Sequence, residues 1–400
     1  MKLLRTIFDK LEPHFSKGGK LEKIGPLFDA IDTFAFSPGF VTKGAPHVRD
    51  AVDLKRLLIT VAFALIPCCL FACYNTGYQA NLGLETSGIE PAGWRIALMG
   101  MIGVGVDSHN LIANFLHGLL YFLPVYIVTL MAGAVWEVLF ACVRRHGIYE
   151  GFLITSLLFP LIVPPDIPLW QVALGISFGV LIGKEIFGGV GMNVLNPALV
   201  GRVFLYFAYP AEISGDSVWV AVDGYTQATP LGALANNVAD YGVSTMDAFI
   251  GLMPGSMGET STLACLMGAV ILLATKVGSW RIMTGCLVGM IATATTLNLI
   301  GSESNLLFGV TPLEHFVLGG FAFGMVFMAT DPVSAAHTRQ GQLWYGGLIG
   351  FLTVLVRVIN PAFPEGIMLA ILFANVFAPA IDKIYVNKNI KRRQLRNVAG

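Results

Sequence analysis

Charge is what this chain has least of: Lys, Arg, Asp and Glu make up 12% of its 400 residues, against 55% hydrophobic residues and a mean hydropathy of +0.70. Such a composition leaves too little polar surface to wrap a soluble globule, so an integral membrane protein is expected. Net charge is absent as well, with 25 basic against 25 acidic residues, and no nucleic-acid partner is expected. Met1–Phe15 alternates charged and apolar residues without an apolar h-region, so no cleavable signal peptide is expected there. The six cysteines (Cys68, Cys69, Cys73, Cys142, Cys265, Cys286) lack the paired spacing of a zinc site or disulfide framework and read as packing residues. No glycine-rich dinucleotide fingerprint follows a strand pattern, so dinucleotide binding is expected elsewhere.

The charges present are placed asymmetrically. Basic residues crowd Met1–Arg56 and the tail from Lys383 to Arg396, whereas Val203–Thr275 contains no Lys or Arg. Because basic loops stay on the cytoplasmic side, both termini are expected there, with the Val203–Thr275 stretch outside. Arg144, Arg145, Lys184, Arg202, Lys276, Arg281 and Arg339 then fall in inner loops, and Arg95 and Arg357 are the exceptions. The first residues read as a basic amphipathic helix on the inner membrane surface.

Apolar runs matched to bilayer thickness predict about ten spans, near Leu57–Cys73, Leu119–Val143, Gly151–Val163, Leu169–Phe187, Ala198–Ala208, Thr262–Thr275, Ile282–Ile300, Leu313–Thr330, Trp344–Val358 and Ile367–Ile381. Several are too short to cross alone. Ala198–Ala208 follows a glycine- and asparagine-rich stretch, which predicts a broken helix whose unwound half lines a cavity. Leu169-Trp170 followed by Asn196-Pro197-Ala198 recurs as Leu343-Trp344 followed by Asn360-Pro361-Ala362. An offset of five spans would invert the second copy; convergent use of Asn-Pro as a helix breaker is the alternative. The expected fold is an all-α polytopic membrane protein of two inverted five-helix repeats with broken helices. Its divisions are an amphipathic segment over 1–56, a first repeat over 57–210, an outer loop over 211–261, a second repeat over 262–382 and a basic tail over 383–400.

Within the cation-free stretch, Asp223-Gly-Tyr-Thr-Gln-Ala-Thr-Pro-Leu231 is a hydroxyl-rich turn, an ordinary surface feature if taken alone. Acidic residues in or beside spans attract functional readings because they are costly there: Glu137 lies in the second span and Asp331 in the Thr330-Asp331-Pro332 break. Asp29 and Asp382 lie near the cytoplasmic surface. Asn193 and Asn196 follow the glycine-rich Phe187–Gly191 and serve either as ligand-binding amides or as helix caps. Gly133 reads as a packing glycine. His146, His315 and His337 are isolated, and Glu314 beside His315 is a weak relay candidate.

In order along the chain, Val41-Thr42-Lys43, His47-Val48-Arg49-Asp50, Asp53-Leu54-Lys55-Arg56, Trp136-Glu137-Val138-Leu139-Phe140, Asn193–Ala198, Asp223–Leu231, Phe327–Ser334 and Ala374–Pro379 resemble, nearly end to end, the B-type subunits of the sodium-translocating NADH:quinone oxidoreductases, a family related to the D-type subunits of the Rnf complexes. The resemblance implies FMN esterified through its phosphate to Thr229. Asp223, Thr226 and Ala228 match the attachment pattern, Gln227 stands where glycine is usual, and Thr226 is the second acceptor. An exposed hydroxyl on a mobile turn is expected, with helix ends and backbone N–H groups rather than Lys or Arg meeting the phosphate.

The resemblance further implies a noncovalent riboflavin, here assigned to Asn193 and Asn196, and Na+ transit past Glu137, Asp331, Asp29 and Asp382. It places ubiquinone near Gly133 and Glu137, where Ala134 replaces the second glycine of a usual pair. It implies the inner membrane of a bacterium, the Thr229 loop on the periplasmic side, a six-subunit complex in which NADH binds another chain, and a flavin transferase for maturation. No catalytic side chain of its own is expected. The competing readings are a small-solute channel on an inverted-repeat scaffold and an Rnf-type electron-transport component.

Overall fold

The computed structural model describes residues 2–15, 19, 21–28, 32, 54–144, 151–222, 225–360 and 363–398; Asp29, Asp223, His146 and most of the segment before residue 54 lie outside these. Every regular element among the described residues is helical. After α1 (Lys2–Phe15), the first half comprises α2 (Leu54–Ser87), α3 (Trp94–Ile102), α4 (Leu111–Arg144), α5 (Gly151–Leu161), α6 (Leu169–Gly183) and α7 (Pro197–Ala208). The short α8 (Pro230–Ala235) and α9 (Thr245–Ile250) lead into α10 (Thr262–Ala274), α11 (Trp280–Ile300), α12 (Pro312–Val317), α13 (Phe321–Phe323), α14 (Arg339–Ile359) and α15 (Ile367–Val398).

Six of these helices are long and apolar enough to cross a membrane, and α5, α7 and α10 are shorter apolar helices. Each predicted span coincides with one element or, at the eighth, with a broken pair. The first two run longer than hydropathy predicts, because polar residues that end the apolar runs pair between them. Asn81 Nδ2 donates to Asn114 Oδ1 at 2.8 Å, and His117 Nδ1 lies 2.7 Å from Asn81 Oδ1. Burial without a partner would cost each amide several kcal/mol, roughly 2–7; the pairing lets both helices continue. Arg95, predicted in a loop, sits on α3 with its guanidinium 3.9 Å from the Tyr121 ring centre.

The eighth span departs most from expectation. It stops at Val317, turns through Gly319 at φ +67°, and resumes as α13 and a π-helical turn over Gly324–Met328. Carbonyls freed by the break need partners in an apolar interior, and Arg357 supplies them. It is fully buried, and donates to His315 O at 2.6 Å, Leu318 O at 3.0 Å and Glu365 O at 3.1 Å. An arginine that seemed to break the positive-inside pattern is therefore the fastener of a broken helix. Helix α15 continues through the basic stretch to Val398.

Two pairs of corresponding elements make corresponding contacts in the two halves. Helix α4 packs on α6 as α11 packs on α14, and α6 on α7 as α14 on α15. Across the halves, α2 meets α10 and α7 meets α15, each helix touching its own counterpart as a pseudo-twofold arrangement requires. The Cys68 and Cys265 sulfurs lie 3.9 Å apart at the first of these seams. Small residues allow the closest approaches: a Cβ on Gly118 would run into the Cys73 carbonyl, and one on Gly350 into that of Cys286.

Gly118→Val and Gly350→Val are each expected to destabilise the folded protein by about 1–3 kcal/mol, the usual cost of overpacking. Gly100→Ala, with open space around the added methyl, should leave thermal stability in detergent unchanged or slightly raised. Scanning fluorimetry of the three variants checks this, and equal midpoints for all would contradict the close-packed seams.

Candidate functional site

Thr229 stands at the N-cap of α8, its Oγ1 accepting from Gly232 N at 3.1 Å, and is only 6% exposed. This corrects the expectation of an exposed hydroxyl on a mobile turn. Thr226 is the exposed hydroxyl, whereas Gln227 and Ala228 are half-buried. The turn is pinned on both flanks, by Tyr121 OH donating to Ala221 O at 2.9 Å and by Gln227 N donating to Asp216 O at 2.9 Å.

Thr229 borders two cavities. The larger, about 810 Å³, is walled by Arg202, Tyr206, Asp216, Trp219 and Phe363, and the smaller, about 270 Å³, by Ser256, Glu259, Gly319, Gly320 and Glu365. The Tyr206 and Phe363 rings meet edge to face at 4.6 Å. The stretch around Thr229 has no cation of its own, but the fold brings one from the residue just before it. Arg202, expected in an inner loop, lies within α7 and lines the same cavity as Thr229. Its Nη1 contacts both Glu259 carboxylate oxygens at 3.3 and 3.4 Å, and its Nη2 donates to Ser256 Oγ at 3.3 Å.

Glu259 sits in the loop before α10 and is buried. Burial pushes its carboxyl up from 4.5 to about 7; Arg202 pulls the other way, Glu365 adds to the rise, and Ser256 opposes it. Sequence reading missed Arg202 as a residue of the Thr229 cavity and Glu259 as its counter-ion. The available signal was an arginine inside a short apolar span, where an unpaired charge is not tolerated.

A second cavity of about 910 Å³ opens between the halves, with Asn193, Asn196, Lys184, Phe327, Thr330 and Asp331 on its walls. The predicted unwound stretch before α7 does line it. Asn196 also caps α7, accepting from Ala198 N at 3.0 Å and Leu199 N at 3.4 Å, and Asn193 Nδ2 donates to Leu195 O at 3.0 Å. Asn196 is thus a helix cap, and both asparagines line the cavity. Helix α7 starts at this second cavity and carries Arg202 and Tyr206 into the first. Its 12 residues span about 18 Å at ~1.5 Å per residue.

The acidic residues are not gathered into one site. Among the described residues no group of three or more His, Cys, Asp or Glu is placed to hold a metal ion. Glu137 is buried and ion-paired with Lys184 Nζ, which is also 3.9 Å from Glu185 Oε1; Arg144 in turn contacts Glu185 Oε2 at 3.4 Å. Asp331 accepts from Ser334 Oγ at 2.8 Å and Val333 N at 3.2 Å at the cavity wall. Asp382 accepts from His337 N, Thr338 N and Thr338 Oγ1 at 2.7, 2.9 and 2.5 Å, tying α15 to the start of α14. Gly133 packs against the Phe152 ring, and that ring lies 6.0 Å from Lys184 Nζ. Glu314 closes a capping box with Thr311, which accounts for it without a proton relay.

Arg202→Met should destabilise the fold by about 3–5 kcal/mol, because it strands a buried carboxylate, and adding Glu259→Gln should restore most of that loss. Folded Glu259 holds its proton more tightly than the unfolded chain does. Its contribution is therefore fullest below pH 4.5 and is lost as pH rises towards 7. Glu259→Gln should flatten that part of the stability curve, as read by thermal midpoints between pH 4.5 and 8; an unaltered slope would contradict the assignment.

Residues 41–391 match the family described as NQR2, RnfD, RnfE. The B-type subunit of the Na(+)-translocating NADH-quinone reductase of Chromohalobacter salexigens is 58% identical over 399 residues, covering 99% of this chain and 97% of its own. The proteins of the same name from Ectopseudomonas mendocina and Stutzerimonas stutzeri are each 57% identical, over 99% of this chain and 100% of theirs. With near-complete coverage and a helical core placed as the sequence predicts, the chain belongs to the NQR2, RnfD, RnfE family, among the B-type subunits of Na+-translocating NADH-quinone reductases.

Proposed function

We propose that this multi-pass subunit carries two flavins through a sodium-translocating NADH:quinone reductase, one esterified through FMN phosphate to Thr229 and one, riboflavin, held noncovalently beside Asn193 and Asn196. The observation that carries the reading is the placement of both assigned positions on cavities joined by the single helix α7. The residues fit the groups. Trp219, Tyr206 and Phe363 offer aromatic surface beside the Thr229 hydroxyl, while the second cavity combines amides with apolar walls such as Leu158 and Phe327. When bound, the flavins supply electron transfer; the chain's part is to hold them at fixed separation and to set their surroundings.

On this reading the Thr229 cavity faces the periplasm of the bacterial inner membrane, and both termini face the cytoplasm. Gly133 and Glu137 border the ubiquinone site. Na+ passes Glu137 and Asp331, with Asp29 and Asp382 towards the cytoplasmic surface, and a hard cation is met there by carboxylate and backbone oxygens. The protein works within a complex of six subunits, with NADH oxidised on another chain, and a flavin transferase completes it.

Protein purified from its own host should give a fluorescent band on a denaturing gel under ultraviolet light, and Thr229→Ala should abolish it. Asn193→Leu should leave that band intact and lower acid-extractable riboflavin about tenfold, the effect of ~1.4 kcal/mol of lost binding. A dark wild-type band would remove the covalent flavin and favour a solute-conducting pore.

A further inference from the structure

We propose that Arg202 is the phosphate-binding residue of the Thr229 cavity, holding the anionic phosphodiester of the attached flavin with the donors that Glu259 and Ser256 leave unused. The inference rests on the flavin reading above and assigns the phosphate a partner within it.

A guanidinium carries five N–H donors in a rigid fork. Among the described residues, those of Arg202 contact only Glu259, through Nη1, and Ser256, through Nη2, at 3.3–3.4 Å. Nε–H and at least one further N–H are left for another acceptor. The side chain is 5% exposed, so bulk water does not serve these donors, and the space beside them is the cavity that also reaches Thr229. Every other charged residue on that cavity's wall, Asp216 and Glu365, is acidic and would repel an anion. A diester phosphate keeps one negative charge and presents planar pairs of oxygens, the geometry a guanidinium matches best.

Backbone donors at the turn are few: Gly232 N already donates to Thr229 Oγ1, and Pro230 has no N–H. Charge balance favours the same partner. Arg202 and Arg357 face Glu259 and Glu365 around the Gly319–Gly320 break, but Arg357 directs its donors to the His315, Leu318 and Glu365 carbonyls. Of the two arginines, only Arg202 lines the cavity. Its loose contact with Glu259 makes it a cation shared between a carboxylate and the cavity, and the phosphate would take the larger share.

A structural role for Arg202, as counter-ion to Glu259 alone, makes a different prediction, and a neutral pair separates the two. The assembled complex would be prepared from the native host carrying the wild-type chain, Glu259→Gln, Arg202→Lys, or Arg202→Gln with Glu259→Gln. Covalent flavin per chain would be read by in-gel fluorescence, and amide hydrogen exchange over residues 225–235 would be compared with that of Thr229→Ala. Glu259→Gln should keep the wild-type fluorescence and the protection that flavin attachment gives the turn. The neutral double variant should match it in thermal stability yet lose fluorescence about tenfold, the scale of one charge-assisted hydrogen-bonding partner; its remaining flavinylated fraction should lose the added protection. Arg202→Lys should fall between. Wild-type fluorescence and protection in the double variant would overturn the assignment. A wild-type chain without covalent flavin would instead sink the flavin reading itself.

Discussion

A break in a helix frees backbone groups that hydrocarbon cannot satisfy, so polar side chains from other helices must be brought to it. In this fold that constraint is met around Leu318–Gly320. Arg357 takes the carbonyls of His315 and Leu318, and the Glu365 carboxylate takes the Gly320 N–H at 3.1 Å. Once these groups are buried, their charges need compensation, and the neighbouring Glu259 and Arg202 complete a balanced cluster. Thr229 lies against that cluster because α8 begins where the Ser256–Glu259 loop and the break meet. The candidate attachment site is thus a consequence of how the membrane interior accommodates its irregular backbone.

The second break works in the same way on the other side of α7. The glycine-rich stretch before Asn193 unwinds, Asn196 caps the helix that follows, and the space left beside it is walled by residues from both halves. The short helix α7 thus runs from one cavity into the other. Lys184 on the wall of this cavity is ion-paired with Glu137. Glu137 is therefore a carboxylate already engaged by an ammonium, and any cation passing it must contend with Lys184.

Much of this was legible in the chain itself. Apolar run lengths anticipated the six long apolar helices and the three shorter ones, because burial in lipid demands nearly continuous hydrophobicity. The run lengths failed where polar residues are satisfied by partners far along the chain. Asn81, Asn114 and His117 look like the end of a span until they are seen to bond one another. Arg357 looks like a topological exception until the carbonyls it caps are in view. The break at Gly319-Gly320 falls inside the predicted Leu313–Thr330 span and was not anticipated.

By itself the sequence determined the membrane class, the positions of the apolar helices, the cation-free stretch and the residues of the candidate attachment turn, since each follows from local composition and order. Only the tertiary structure decided what those residues face. Thr229 became a buried cap, Arg202 joined its cavity from the preceding helix, and Glu137 met Lys184 across 47 positions of chain. The reason is physical: hydropathy is a property of one segment and its solvent, whereas the pairing of buried charges depends on which segments come together, and that is settled by packing between helices.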